Sequence, residues 1–239
     1  MKQFIFSLFV LVVSITANAQ PSEGTFSVIP RLGVNISNQT GYSAKYQLRN
    51  GSVGVEDSKA AAGINIGAEA VYQFTDLFFA SAGLDYSLQR CKIANYTNYL
   101  GQTGSVEQFK GVADKKLKLS YVHLPLMVGC YVYNSLAVKL GLQFGYLASA
   151  KETYNTADIT IDTSVEPNER SIGNRQGYSV NCKDRMKKLE LSIPFGVSYE
   201  YENVVLDLRY NWSITKAFKH TNSRNQWAAL TVGYRFELY

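Results

Sequence analysis

Histidine occurs twice and cysteine three times in 239 residues, which leaves little material for metal or redox chemistry. His123 lies in a strand-like stretch on its inward parity and reads as a hydrogen-bonded interior residue. His220 sits in a loop beside Thr221 and Ser223, without the strand–turn–helix setting that makes a serine nucleophilic. Cys91, Cys130 and Cys182 are too few for a disulfide framework. An exported chain has room for one bridge, and Cys91–Cys182 is the pair to test. Cys130, in mid-strand, packs as a small hydrophobe. There is no phosphate loop, nucleotide fingerprint or cluster with metal-ligand spacing, so no cofactor is expected. The loop acids Asp158, Asp162, Glu166 and Glu169 lack the spacing and turn glycine of a calcium loop. Charge is also modest, with 24 basic and 19 acidic residues and no basic block, which argues against a nucleic-acid partner.

Long apolar runs are missing too. The one from Phe4 to Val13 is too short to span a bilayer as a helix, and no later run comes near that length. Lys2 precedes it, and Ala17 and Ala19 frame an A-x-A site behind it. That layout predicts a cleaved signal peptide over 1–19, leaving Gln20 first and a single domain over 20–239. No cysteine stands at the new N-terminus to carry a lipid anchor.

What is present is alternation. Segments at about 25–36, 61–74, 77–90, 117–133, 136–150, 187–201, 204–218 and 225–238 repeat with period two, and none holds a helical period. Each is about as long as a tilted strand that crosses a membrane. Short turns at Thr75-Asp76, Asn134-Ser135 and Glu202-Asn203 take turns with longer connections at 37–60, 91–116, 151–186 and 219–224. An antiparallel up-and-down barrel of eight strands gathers the short turns at one rim, the periplasmic one, and the long loops at the other. Pro125 and Pro194 fall inside strands, where each removes a ladder donor, and bulges are expected there.

Sorted by parity, one face is apolar and free of charge; Leu206, Leu208, Tyr210 and Trp212 are typical of it. The other face is polar and carries both signs of charge: Arg31, Glu69, Asp85, Lys139, Glu190, Glu200, Asp207, Arg209, Arg235 and Glu237. A soluble lipid-binding barrel turns the apolar face inward, and a membrane barrel turns it outward. Glycine separates the two. Gly33, Gly67, Gly83, Gly145 and Gly196 are among the glycines on the polar face, and none falls on the apolar one. A narrow interior needs that room, whereas a solvated exterior does not. An all-β transmembrane barrel with a salt-bridged, filled lumen follows.

Several stretches resemble a known family. The signal ending "ANAQ", the strand "YVHLPLMVG", "LELSIPFGVSYEY" and the closing "LTVGYRF" are similar to PorT-like outer-membrane β-barrels, a small OmpA-type class. The resemblance covers the mature chain and implies localisation in the outer membrane. Its founding member is associated with protein secretion and maturation, and it has no shared catalytic residues to carry over. Here "ELY" runs past the expected terminal aromatic, Phe236.

The expected function is non-enzymatic: a structural, adhesive or assembly-related barrel acting through its loops, with 151–186 the candidate surface for an envelope protein partner. "DITID" in that loop alternates, so the strands flanking it are expected to extend above the membrane as a hairpin. The alternatives are an outer-membrane enzyme acting on lipid or peptide, or a secreted lipid carrier. The inward acids Glu69, Asp85 and Glu200 have the make-up of a carboxylate pair for acid–base work, but ion pairing explains them as well. Outer-membrane lipid and the barrel-assembly machinery are the expected partners, the latter reading Tyr234 and Phe236 as an insertion signal. Tyr239 is expected off-phase at the periplasmic rim. Polar replacement of Tyr234 and Phe236 together is predicted to block assembly, scored as loss of the heat-modifiable folded band from outer membranes, while truncation after Phe236 is tolerated.

Overall fold

Strands with one apolar and one polar face are stable in lipid only when the sheet closes on itself, because an open edge leaves backbone groups unpaired. The computed structural model describes residues 22–165, 169–219 and 221–238, and within them the sheet does close. The signal peptide, Glu166, His220 and Tyr239 lie outside the described residues. The ring runs, all antiparallel, through β1 (Phe26–Thr40), β3 (Val53–Gln73), β4 (Phe78–Ile93), β6 (Val106–Tyr133), β7 (Leu136–Asp162), β10 (Leu189–Tyr201), β11 (Val204–Ser213) and β12 (Arg224–Tyr234). It closes at β1, where Leu32 faces Ile66 on one side and Val232 on the other. The short β13 (Phe236–Leu238) continues this seam, with Val28 opposite Phe236 and Phe26 opposite Leu238. Truncation after Phe236 therefore removes two paired positions, Glu237 and Leu238, which bears on the tolerance expected from sequence.

The barrel is the eight-stranded one that the alternation predicts, and its apolar face is the outer one. Leu32, Ile66, Leu84, Val128, Leu208 and Val232 stand exposed on the outside, with Phe26, Phe74, Phe78, Tyr133, Tyr234 and Phe236 around the short-turn rim. Leu77, by contrast, is a turn residue.

Three expectations are corrected. First, most of 91–116 and 151–186 is strand rather than loop. β6 has 28 residues and β7 has 27, and their outer halves pair with each other above the barrel, from Ala113–Asn155 to Val106–Asp162. β5 (Tyr96–Thr103) adds to the free edge of β6, while β8 (Glu169–Ile172) and β9 (Gln176–Asn181) add to that of β7. "DITID" thus pairs with β6 and β8 and not with β10, which meets β7 only between Leu136 and Tyr146. Opposite this sheet, β2 (Ser43–Gln47) folds back on the outer end of β3.

Second, Pro125 and Pro194 make no bulge. The β6–β7 register runs unbroken through Pro125–Gln143, and the β10–β11 register through Pro194–Asn211. Both rings point inward, so each costs a donor without moving its strand. The register shifts fall elsewhere, among them one between Ala61 and Ile64 in β3, others at Ala113/Lys116 and Tyr131/Tyr133 in β6, and one opposite Ser120–Tyr121, where β7 passes from Leu147 to Ser149. An extra residue there turns Ala150 and Glu152 inward in place of the odd-numbered residues below.

Third, β11 ends at Ser213 rather than near 218. The chain beyond it turns in over the lumen. Phe218 bridges to Met186, Lys187 N–H donates to the Ala217 carbonyl at 2.8 Å, and Met186 and Ala217 are buried.

Leu208 sits mid-way along β11 on the lipid side. Leu208→Arg is expected to cost about 2–4 kcal/mol of folding free energy in vesicles, read from a denaturant titration.

Candidate functional site

Inward-pointing side chains in a ring this narrow must fill it, and the charged ones must find each other. Arg31 on β1 is held bidentate by Asp85 on β4, with Nη2 to Oδ2 at 2.5 Å and Nε to Oδ1 at 3.1 Å. Its Nη1 lies 2.5 Å from Glu69 Oε2 on β3. The same oxygen takes Arg209 Nη2 at 3.0 Å and stands 3.7 Å from Lys139 Nζ. Lys139 also pairs with Asp207, which lies 3.4 Å from Arg209 Nε. Ser81 donates to the other oxygen of Glu69 at 2.5 Å. Three cations thus face three carboxylates, drawn from five strands. Close packing makes this possible, since a Cβ at Gly67 would collide with the Asp85 carboxylate and the Leu84 carbonyl.

The other predicted network residues stand apart. Arg235 and Glu200 form a separate bidentate pair toward the short-turn rim, at 2.6 and 2.8 Å, with Ser27 accepting from Arg235 at 2.6 Å. Glu190 joins neither group; Asn225 donates to it at 3.4 Å. Glu237 has inward parity but is exposed at the rim.

Next to Glu190 lies a polar layer around His123, which is fully buried. Its Nε2 is 2.9 Å from Ser87 Oγ and its Nδ1 is 3.2 Å from Gln143 Nε2. The ring stacks between Tyr121 and Trp227, each 5.4 Å away by centroid. A Cβ on Gly145 would sit 2.9 Å from its Nδ1. Ser87 and His123 have the spacing of a nucleophile and its base, but the third group is an amide, and neither residue is exposed.

Two apolar layers, which parity alone did not reveal, bracket these polar ones. Toward the short-turn rim are Ile29, Val71, Phe79, Tyr131, Ala137 and Val205. Toward the other rim are Leu117, Leu119, Tyr121, Leu147, Met186 and Ala217, together with Cys91 and Cys182. All three cysteines are free thiols, so the suggested Cys91–Cys182 bridge is not formed even though both belong to one cluster. A cavity of about 20 Å³ remains beside Glu69 and Phe79, room for about one water.

The sheet above the barrel is rich in aromatic and charged side chains. Tyr154 stacks on Tyr178 at 5.4 Å and Tyr46 on Tyr96 at 5.0 Å, while Tyr99 meets Phe109 edge-on. Lys115 lies 5.9 Å from the Tyr154 ring centroid and 2.9 Å from Glu152. Arg49 Nη2, 2.6 Å from Glu107, and Gln47 N–H, donating to Asn98 at 2.7 Å, tie the β2–β3 hairpin to this sheet. A cleft between the strands is lined by Tyr96, Lys110, Lys115, Tyr154 and Tyr178.

The sequence matches the outer membrane protein beta-barrel domain over residues 18–219. The chain belongs to that family. Among solved structures it is similar to Ail, the attachment invasion locus protein of Yersinia pestis, at 14% identity over 90% of this chain and 99% of that one, with a TM-score of 0.39. Neisserial surface protein A is 16% identical over 90% and 100%, with a TM-score of 0.41. OprG from Pseudomonas aeruginosa is 10% identical over 90% and 98%, with a TM-score of 0.38. No curated protein matches.

In this outer-membrane barrel the loop acids are scattered. Asp158 is 3.9 Å from Lys110, and Glu169 stands opposite Asp162 across the β7–β8 pair. Hydrogen bonds from the Ser164 backbone and hydroxyl hold the Asp162 carboxyl below its ordinary value. Among the described residues no three metal-binding side chains come together. Sequence reasoning missed the tyrosine stacks. Their signal was the alternation of "ETYNTADITID" continuing outward from β7.

Glu69 is the acid that three cations share. Glu69→Gln is expected to destabilise the barrel by about 3–5 kcal/mol, read as a lower urea midpoint, because buried cations are left under-neutralised.

Proposed function

We propose that this outer-membrane β-barrel keeps its lumen closed to solutes and works as a recognition or adhesion element through the sheet above its long-loop rim, exposed at the cell surface. The observation that carries the proposal is the contrast between the two regions. The interior is crossed by paired charges between two apolar layers, whereas the outer halves of β6 and β7 are half-exposed, joined to each other by ion pairs and flanked by β5 and β9 in a sheet that carries Tyr96, Tyr99, Tyr154 and Tyr178. The paired extension, from Ala113 out to Val106, reaches roughly 25 Å along the strand, beyond what anchoring needs. Rigid strands at that distance present side chains in fixed register, which suits a protein or other surface partner.

The finer family likeness, to PorT-like barrels, would place the protein beside a secretion or maturation system, with the projecting sheet as the contact for an envelope partner. Export by a cleaved signal peptide and insertion read from Tyr234 and Phe236 belong to the same proposal. One observation favours a hydrolase, the 2.9 Å Ser87–His123 contact. Against it stand the burial of both residues and the lack of an acid partner.

The test has two arms. In planar bilayers the purified chain is expected to show no large, stable, porin-like conductance, and such conductance would overturn the closed lumen. In the second arm the extensions are shortened at matched positions. Asn-Gly replaces 98–110 and 157–175, joining Thr97 to Gly111 and Thr156 to Gln176, pairs that already lie opposite. The barrel is expected to fold while crosslinked partners in intact cells are lost. Unchanged crosslinks would remove the role given to the sheet.

A further inference from the structure

Above the lipid-facing band, the outer side of four neighbouring strands carries cations in cross-strand rows. Lys59 on β3 lies opposite Lys92 on β4, which lies opposite Lys116 on β6. One step closer to the band, Arg90 on β4 lies opposite Lys118 on β6, which lies opposite Lys151 on β7. All six are exposed, and none forms an ion pair with a described residue. Residues directly opposite on one face stand about 5 Å apart, and like charges there destabilise a sheet. A protein in water would break such rows with acids. Here the acid at this height, Glu152, turns inward to Lys115 and Arg185. The outward acids, Asp57 and Asp114, lie beyond the array, and Asp114 is held by Arg175.

Height decides what the rows face. On β4 the outward residues run from Phe78 through Leu84 and Tyr86 to Leu88, and Arg90 is next. The ten steps from Phe78 to Leu88, at about 3.3 Å each and tilted by about 40°, span roughly 25 Å, the height of an outer-membrane apolar band. The Tyr86 hydroxyl, donating to Ser120 at 3.0 Å, marks its upper edge. Arg90, Lys118 and Lys151 then sit at the level of lipid headgroups, with the second row just above.

We propose that this two-row array binds phosphate groups of the phosphorylated glycolipid in the outer leaflet. Two or more phosphates on one sugar headgroup would neutralise neighbouring cations across the strands and convert the repulsion into attachment. The inference rests on the long-loop rim facing outward, as in the proposed function.

The test uses the full chain folded in nanodiscs of phosphatidylcholine with either bisphosphorylated lipid A or its dephosphorylated analogue, and native mass spectrometry reads the lipid retained. The phosphorylated lipid is expected to be retained at least about tenfold more, with the preference falling as salt rises. Arg90→Gln/Lys118→Gln/Lys151→Gln, and independently Lys59→Gln/Lys92→Gln/Lys116→Gln, should each lower it about tenfold or more. Lys45→Gln/Lys110→Gln/Arg170→Gln, with equal loss of charge on the projecting structure, should leave it nearly unchanged. Equal retention of the two lipids, undiminished retention by either array variant, or an equal loss in the control overturns the proposal. So does failure of either array variant to show the heat-modifiable folded band, because relieving repulsion should not prevent folding. A wild-type chain that inserts into no bilayer refutes the membrane reading itself and removes the array's ligand with it.

Discussion

In hydrocarbon an unpaired backbone N–H or carbonyl costs several kcal/mol, and nothing outside the chain can satisfy it. Closure at β1, between β3 and β12, is the constraint from which the rest follows. It removes the edge and fixes the strand number. That number sets how little room the inside has, and alternation then dictates which side chains go there. The prolines show how tightly the register is held. Each forfeits one ladder bond, yet the strand on either side keeps its pairing, because a one-residue slip would move its whole apolar face into the lumen.

Filling the lumen with charge is costly unless the charge balances. Arg31, Lys139 and Arg209 against Glu69, Asp85 and Asp207 do balance, and they come from β1, β3, β4, β7 and β11. Apolar layers above and below keep water away from these pairs. Lower dielectric strengthens each attraction and also raises the penalty for breaking one. Such a network adds less to net stability than to the choice of one arrangement among many, since a register slip in any of the five strands leaves a buried ion unmatched.

Parity was enough to read the barrel, its lipid face and which charges point inward. It was not enough to tell which charges meet. Glu190 and Asp85 share inward parity, yet Asp85 clamps Arg31 while Glu190 lies in the His123 layer, because strand stagger places them at different heights. The Cys91–Cys182 suggestion failed to form a bond for a related reason: shared membership of an apolar cluster does not bring two sulfurs into bonding geometry. The inner apolar layers were hidden because Leu117, Leu119 and Tyr121 alternate with Lys116, Lys118 and Ser120, and that pattern reads equally well as a strand turned the other way. The bulge in β7 was invisible as well. It inserts a residue without any Gly or Pro to mark it, so a parity count that rightly sends Leu147 inward wrongly sends Ala150 and Glu152 outward.

The 28 residues of β6 show how one strand is written for three surroundings. "VEQFKGVAD" belongs to the sheet above the barrel, where Phe109 meets Tyr99 and Glu107 meets Arg49. "KKLKLS" follows, with Lys116 and Lys118 outward and Leu117 and Leu119 packed into the upper lumen. In "YVHLPLMVGCYVY" the outward residues become Val122, Leu124, Leu126 and Val128, while His123 and Pro125 face in. The outward side thus goes from charged to apolar, while the inward side stays largely apolar, with His123 its one ionisable group between Tyr121 and Tyr131. A segment that simply crossed water would not change its outward face in this way. The change falls between Ser120 and Val122, so the edge of the apolar band is written into the outer face of the strand.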